Sequence, residues 1–125
     1  MQSEKTYENQ IKRWLEKNGV YPLGTAADKM NVPPIGYYIK RWGGGNYVKS
    51  GYPDMQIVIM GICFEVEIKA ENGRLSDLQM QKIEQINTSN GYATSTRPSG
   101  FDDLKKWIKE VIRWYDELVA DNLIL

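Results

Sequence analysis

A chain of 125 residues, 42% of them apolar, can bury one core, so a single domain over residues 1–125 with one site is expected. Its 16 basic and 16 acidic side chains cancel, which excludes a protein that grips a polyanion by bulk charge and leaves that task to local clusters. With no histidine in the chain, imidazole bases, Ser/His triads and histidine-zinc hydrolases are excluded, and hydrolytic chemistry falls to carboxylates that hold a hard cation through oxygen.

The first residues show neither the basic start nor the apolar run of a signal peptide, and no apolar stretch is long enough to span a bilayer. A soluble, intracellular, cytoplasmic protein without a membrane partner is expected. The lone Cys63 cannot form an internal disulfide, and its apolar neighbours predict a buried structural thiol.

From Ser3 to Asn18 the residues Tyr7, Ile11, Trp14 and Leu15 recur at helical spacing, and Gly19 follows as a left-handed stop. Glu8 borders that apolar stripe, an unusual place for a carboxylate that only faces water. Val20 to Pro34, with scattered Gly, Pro, Asn and Asp, reads as connecting structure, and Ile35 to Trp42 as an aromatic and β-branched strand. Gly43-Gly44-Gly45-Asn46 is a turn without the Gly-Lys-Ser/Thr ending of a phosphate-binding loop. Met55 to Met60 is a buried strand, and Gly61 allows a tight reversal into Ile62 to Lys69, which predicts an antiparallel hairpin.

Ser76-Asp77-Leu78-Gln79 carries the Ser-x-x-Gln pattern of a capping box, so a helix is predicted to about Ser89, with Leu78, Ile83 and Ile86 as its apolar face and Gly91 closing it. Tyr92 to Thr96 reads as a short strand and Pro98-Ser99-Gly100 as a turn. The last helix, from about Asp102 to Ala120, has a core stripe of Leu104, Trp107, Ile108, Val111, Tyr115 and Leu118, with Trp114, Ile112, Val119 and Leu123-Ile124-Leu125 as excess apolar surface for a subunit interface. The expected fold is α/β, a mixed sheet flanked by helices.

The chemistry concentrates on the hairpin. Strand alternation puts Glu65, Glu67 and Lys69 on one face, with about 6 to 7 Å between the α-carbons of Glu67 and Lys69. Pairing around Met60-Gly61 brings Asp54 beside that end, so two carboxylates and an ammonium converge. Such a set suits phosphodiester hydrolysis: carboxylates hold one or two cations that polarise phosphate and acidify water, and the lysine positions the water or neutralises developing charge. The Ile68 carbonyl is a further candidate ligand. Glu65 is a rival for the place of Glu67, which is preferred because only Glu67 is followed by x-Lys. Gln79 has a structural role open to it as partner in the capping box, beside any role at the site. Arg74 and Lys49 flank the site as candidate phosphate contacts, followed by Lys40, Arg41 and Arg97.

Pro53-Asp54, followed by Glu67-Ile68-Lys69 with Glu67 thirteen positions after Asp54, resembles the motif of PD-(D/E)XK nucleases. With Gly51-Tyr52 before it and Gly73-Arg74-Leu75-Ser76-Asp77-Leu78-Gln79 after it, the chain from Glu8 to Pro98 is similar to the virus-type replication-repair nuclease domain (VRR-NUC), which occurs alone in phages and as the catalytic domain of larger repair enzymes. The resemblance implies a restriction-endonuclease-like fold and a DNA endonuclease using magnesium or manganese. It implies Asp54 and Glu67 as metal ligands, Lys69 as the catalytic lysine, Gln79 in support, and Glu8 as the acidic residue of the first helix. Branched or four-way-junction DNA, cut by a homodimer with two sites across a two-fold axis, is the substrate it suggests. A DNA-binding or packaging accessory that keeps the fold without catalysis, and a restriction-type enzyme with base-reading segments, are the alternatives.

Overall fold

The computed structural model describes residues 2–41 and 51–121, with side chains through residue 115. Helix α1 (Glu4–Lys17) starts where the Ser3 side chain accepts from the Thr6 amide at 3.1 Å. Its apolar residues Tyr7, Ile11 and Leu15 are buried, at the spacing that the sequence predicts. The segment expected to be only a connection contains strand β1 (Val20–Pro22) and a single 3-10 turn over Ala27–Lys29. Three residues ending in proline are too few to show alternation, and their extended form is set by pairing with the next strand.

Strands β2 (Gly36–Lys40), β3 (Met55–Ile59), β4 (Ile62–Ile68) and β5 (Tyr92–Thr96) complete a five-stranded sheet in the order β1-β2-β3-β4-β5. The outer pairs, β1 with β2 and β4 with β5, are parallel, and the two inner pairs are antiparallel. Helix α2 (Asp77–Thr88) lies in the crossover that a parallel β4–β5 pair requires, and α3 (Phe101–Asp121) follows the sheet. The fold is therefore α/β, a mixed five-stranded sheet flanked by helices, and it is compatible with a restriction-endonuclease-like architecture. No helix among the described residues is long and apolar enough to cross a membrane.

The β3–β4 turn places Met60 and Gly61 at φ 49° and 82°, the left-handed pair that a two-residue hairpin demands. In the resulting register Ile57 faces Phe64 and Met55 faces Val66. Met55, Ile57, Ile59, Ile62, Phe64, Val66 and Ile68 form one core with α1 and with Phe101, Leu104 and Ile108 of α3. Edge-on ring contacts of Phe101 with Tyr7 and Trp14, and of Phe64 with Trp107, join the two helices to this face.

Three expectations fail on packing. Cys63 is exposed, because alternation that sends Ile62 and Phe64 inward turns the residue between them to the opposite face. Helix α2 buries no residue, and Leu78 is half-exposed, so α2 is held more by its caps and by contacts with β5 than by an apolar stripe. In α3 the buried stripe runs from Phe101 through Leu104 to Ile108, whereas Tyr115 is exposed, because the helix extends past the sheet it packs on. The Gly43–Asn46 run, Lys49 and Leu123-Ile124-Leu125 lie outside the described residues.

Candidate active site

Antiparallel pairing of β3 with β4 brings the first residue of one strand to the last of the other, so the residues flanking Met55 and Val66 meet at the end of the hairpin away from its turn. Asp54 stands just before β3, and its Oδ2 accepts a hydrogen bond from the Ile68 amide at 2.9 Å. That bond fixes the carboxylate against the strand that carries Glu67. Glu67 is 2% exposed. Its Oε1 accepts from Gln79 Nε2 at 3.3 Å, while its Oε2 is buried with no hydrogen-bond partner. Burial, and next the Asp54 carboxylate beside it, push the Glu67 carboxyl up to about 8, against the opposing pull of Lys69 and Lys40. Lys69, half-buried, follows directly after β4, and its amide donates to the Thr96 carbonyl at 3.0 Å.

Gln79 serves two partners. Its Oε1 accepts from the Ser76 amide at 2.8 Å, and the Ser76 hydroxyl accepts from the Gln79 amide at 3.1 Å, which closes the capping box. The other end of the same amide donates to Glu67. The cap thus points Gln79 at the carboxylate, and the two readings that the sequence leaves open are compatible.

The rivalry between Glu65 and Glu67 is resolved by a cation. Arg41, just after β2, grips both oxygens of Glu65 through Nη1 and Nη2, the latter at 3.0 Å, and donates from Nη1 to the Pro53 carbonyl at 2.9 Å. Glu65 is neutralised by that fork, and Glu67 is the carboxylate beside Asp54.

Glu8, on α1, is 4% exposed and is contacted by three ammonium groups: Lys5 at 2.9 Å, Lys12 at 2.8 Å and Lys40 at 3.1 Å. Burial on its own raises this carboxyl, but Lys12, Lys5 and Lys40 together hold it down to about 2. Lys40 also reaches Asp54, with Nζ 3.7 Å from Oδ1. Glu8 is therefore linked to the hairpin carboxylates through a lysine.

The candidate phosphate contacts separate. Arg74 is exposed. Arg97 donates twice to the Gly73 carbonyl, at 3.2 and 2.6 Å, and so fastens the turn between β4 and α2. Arg41 and Lys40 are engaged as described, and Lys49 lies outside the described residues. Sequence reasoning missed Lys5 and Lys12, although their positions three before and four after Glu8 on a helix carry the signal.

Among the described residues no group of three acidic or thiol side chains forms a ready cage for a metal ion. The pair Asp54 and Glu67 nonetheless fits a cation that keeps much of its water, because magnesium is commonly held by one or two carboxylates. The unpartnered Glu67 Oε2 is the oxygen such an ion would satisfy.

No family model, curated protein or solved structure matches the chain. The functional reading therefore rests on the site itself.

Proposed function

We propose that this chain is a divalent-cation-dependent DNA endonuclease of the VRR-NUC type. The observation that carries the reading is the Glu67 carboxyl, buried beside Asp54 with one oxygen unpartnered. Leaving a buried polar atom without a partner costs about 1–3 kcal/mol, and an arrangement that expensive is explained by a ligand that completes it.

In this reading Asp54 and Glu67 hold magnesium or manganese, with the Ile68 carbonyl as a further ligand and Glu8 contributing from α1. The cation, when bound, supplies Lewis acidity toward a phosphate oxygen and acidifies a bound water. Lys69 positions that water or neutralises charge on the non-bridging phosphate oxygens. Gln79 keeps the Glu67 carboxylate oriented, and Arg74 meets backbone phosphate. Branched DNA, four-way junctions above all, is the proposed substrate, and a homodimer supplies the two sites that symmetric cutting needs.

The test is cleavage of labelled linear duplex, flap and four-way-junction DNA by the wild type and by Lys69→Ala, with magnesium, manganese or chelator. Metal-dependent cutting that disappears in Lys69→Ala while DNA binding persists is expected, with the junction cut fastest. Folded protein that binds DNA and cuts none of these substrates with either metal would overturn the reading in favour of a non-catalytic accessory.

A further inference from the structure

Three lysines contact Glu8, but they are not equivalent. Lys5 and Lys12 are neighbours on the same helix, at i−3 and i+4, where such pairs form from local geometry alone. Lys40 arrives from another element. Its backbone is fixed at the end of β2, where Lys40 pairs with Met55 and the Arg41 amide donates to the Asp54 carbonyl at 2.6 Å. From there its ammonium sits between two carboxylates, 3.1 Å from Glu8 Oε1 and 3.7 Å from Asp54 Oδ1, and its side chain is only 17% exposed.

A single positive charge that joins two carboxylates from separate elements occupies the position of a bridging metal ion. Two oxygens that share one ammonium at these distances lie within about 7 Å of each other. A divalent ion with oxygen contacts of about 2.1 to 2.5 Å would draw them closer, and its double charge would balance both carboxylates without the lysine. Glu8 keeps Lys5 and Lys12 if Lys40 leaves, so the helix does not depend on Lys40 for the neutralisation of its buried carboxylate.

We propose that Lys40 is a built-in counter-cation: its ammonium fills a second divalent-cation position between Glu8 and Asp54, so that Lys40 sets how many ions the site holds and how tightly. The proposal rests on the nuclease reading of Asp54 and Glu67 for the first ion. Lys40 acts here through competition for carboxylate oxygens and is a positioning residue. An ion entering between Glu8 and Asp54 displaces the ammonium, whose anchored stem leaves it within reach of a phosphate at the same site.

The experiment counts bound Mn2+ by electron paramagnetic resonance and titration calorimetry on the full chain without DNA, for the wild type, Lys40→Met, Lys40→Met/Glu8→Gln and Glu67→Gln. Methionine keeps the length of the lysine stem and removes its charge. The expected result is one tight Mn2+ in the wild type and a second in Lys40→Met, with an affinity gain of at least about tenfold at that position, abolished when Glu8→Gln is added. Unchanged stoichiometry and affinity in folded Lys40→Met, with the Glu67-dependent ion still bound, would overturn the role of Lys40 and leave the nuclease reading intact. A second ion that survives Glu8→Gln would also overturn it, since the position would then not be the one between Glu8 and Asp54. Absence of any Mn2+ binding in all four proteins would overturn both.

Discussion

Replacing Glu67 by glutamine should stabilise the metal-free protein while destroying its cation site. Glu67 is buried, carries an unpartnered Oε2 and has its carboxyl raised from 4.5 to about 8 by burial and by Asp54. In the folded chain it therefore keeps a proton that the unfolded chain releases. A group raised in this direction gives its full stability below pH 4.5 and loses it as the pH climbs to about 8. Each pH unit in that window is worth about 1.4 kcal/mol, so at pH 7 the wild type forfeits at most about 3 kcal/mol that a neutral amide does not. The amide also offers an N–H toward Asp54. The gain from Glu67→Gln is then about 1–3 kcal/mol at pH 7, or a rise of roughly 5 °C or more in Tm for a chain of this size. Thermal melts at pH 5, 7 and 8.5 in chelator measure it. The difference should be small at pH 5 and grow with pH. Millimolar Mn2+ should raise the Tm of the wild type and leave that of Glu67→Gln unchanged. A glutamine variant that melts below the wild type in chelator at pH 7, or a gap that does not widen with pH, would refute the reasoning and make Glu67 a structural residue.

Two further outcomes are expected. Glu8 is lowered from 4.5 to about 2, so its contribution to stability is present above pH 4.5 and lost as the pH falls toward 2; Glu8→Gln should cost about 1–3 kcal/mol at neutral pH and flatten the acid limb of an unfolding titration, and coincident acid midpoints for the two proteins would show that the three lysines add nothing. Gly51→Ala puts a Cβ 2.7 Å from the Leu78 carbonyl oxygen at a φ of +86°, which should cost about 1–3 kcal/mol and lift the start of α2 away from the segment leading to Asp54, lowering cleavage as well as Tm. Gly24→Ala, at a φ of +96° with open space around it, is the control: it should lose stability by strain and keep the cleavage rate, measured well below its melting temperature.

Much of the fold was legible in the sequence, for identifiable reasons. The apolar spacing of Tyr7, Ile11 and Leu15, the Ser76 to Gln79 cap and the Gly61 reversal each act within one element or one turn, where local geometry leaves little choice. Because side chains on a strand alternate, the reversal also implied that Asp54 and Glu67 would meet. β1 was not legible, since a three-residue strand exists only through its pairing with β2. The exposure of Cys63 was missed by reading apolar neighbours instead of alternation, and that of Tyr115 because periodicity shows which face of a helix is apolar but not how far its partner extends.

The sequence by itself determined the chemical repertoire: carboxylate and lysine without imidazole, gathered on one hairpin whose register follows from a two-residue turn. It could not say which carboxylate is free, because Glu65 and Glu67 share a strand face and differ only in what approaches them from other elements. Tertiary structure decided that by placing Arg41 on Glu65 and Gln79 on Glu67. The same holds for Glu8, whose link to Asp54 depends on Lys40 reaching both from the end of β2. Contacts between elements depend on packing, and packing is the part of the structure that no local pattern of residues encodes.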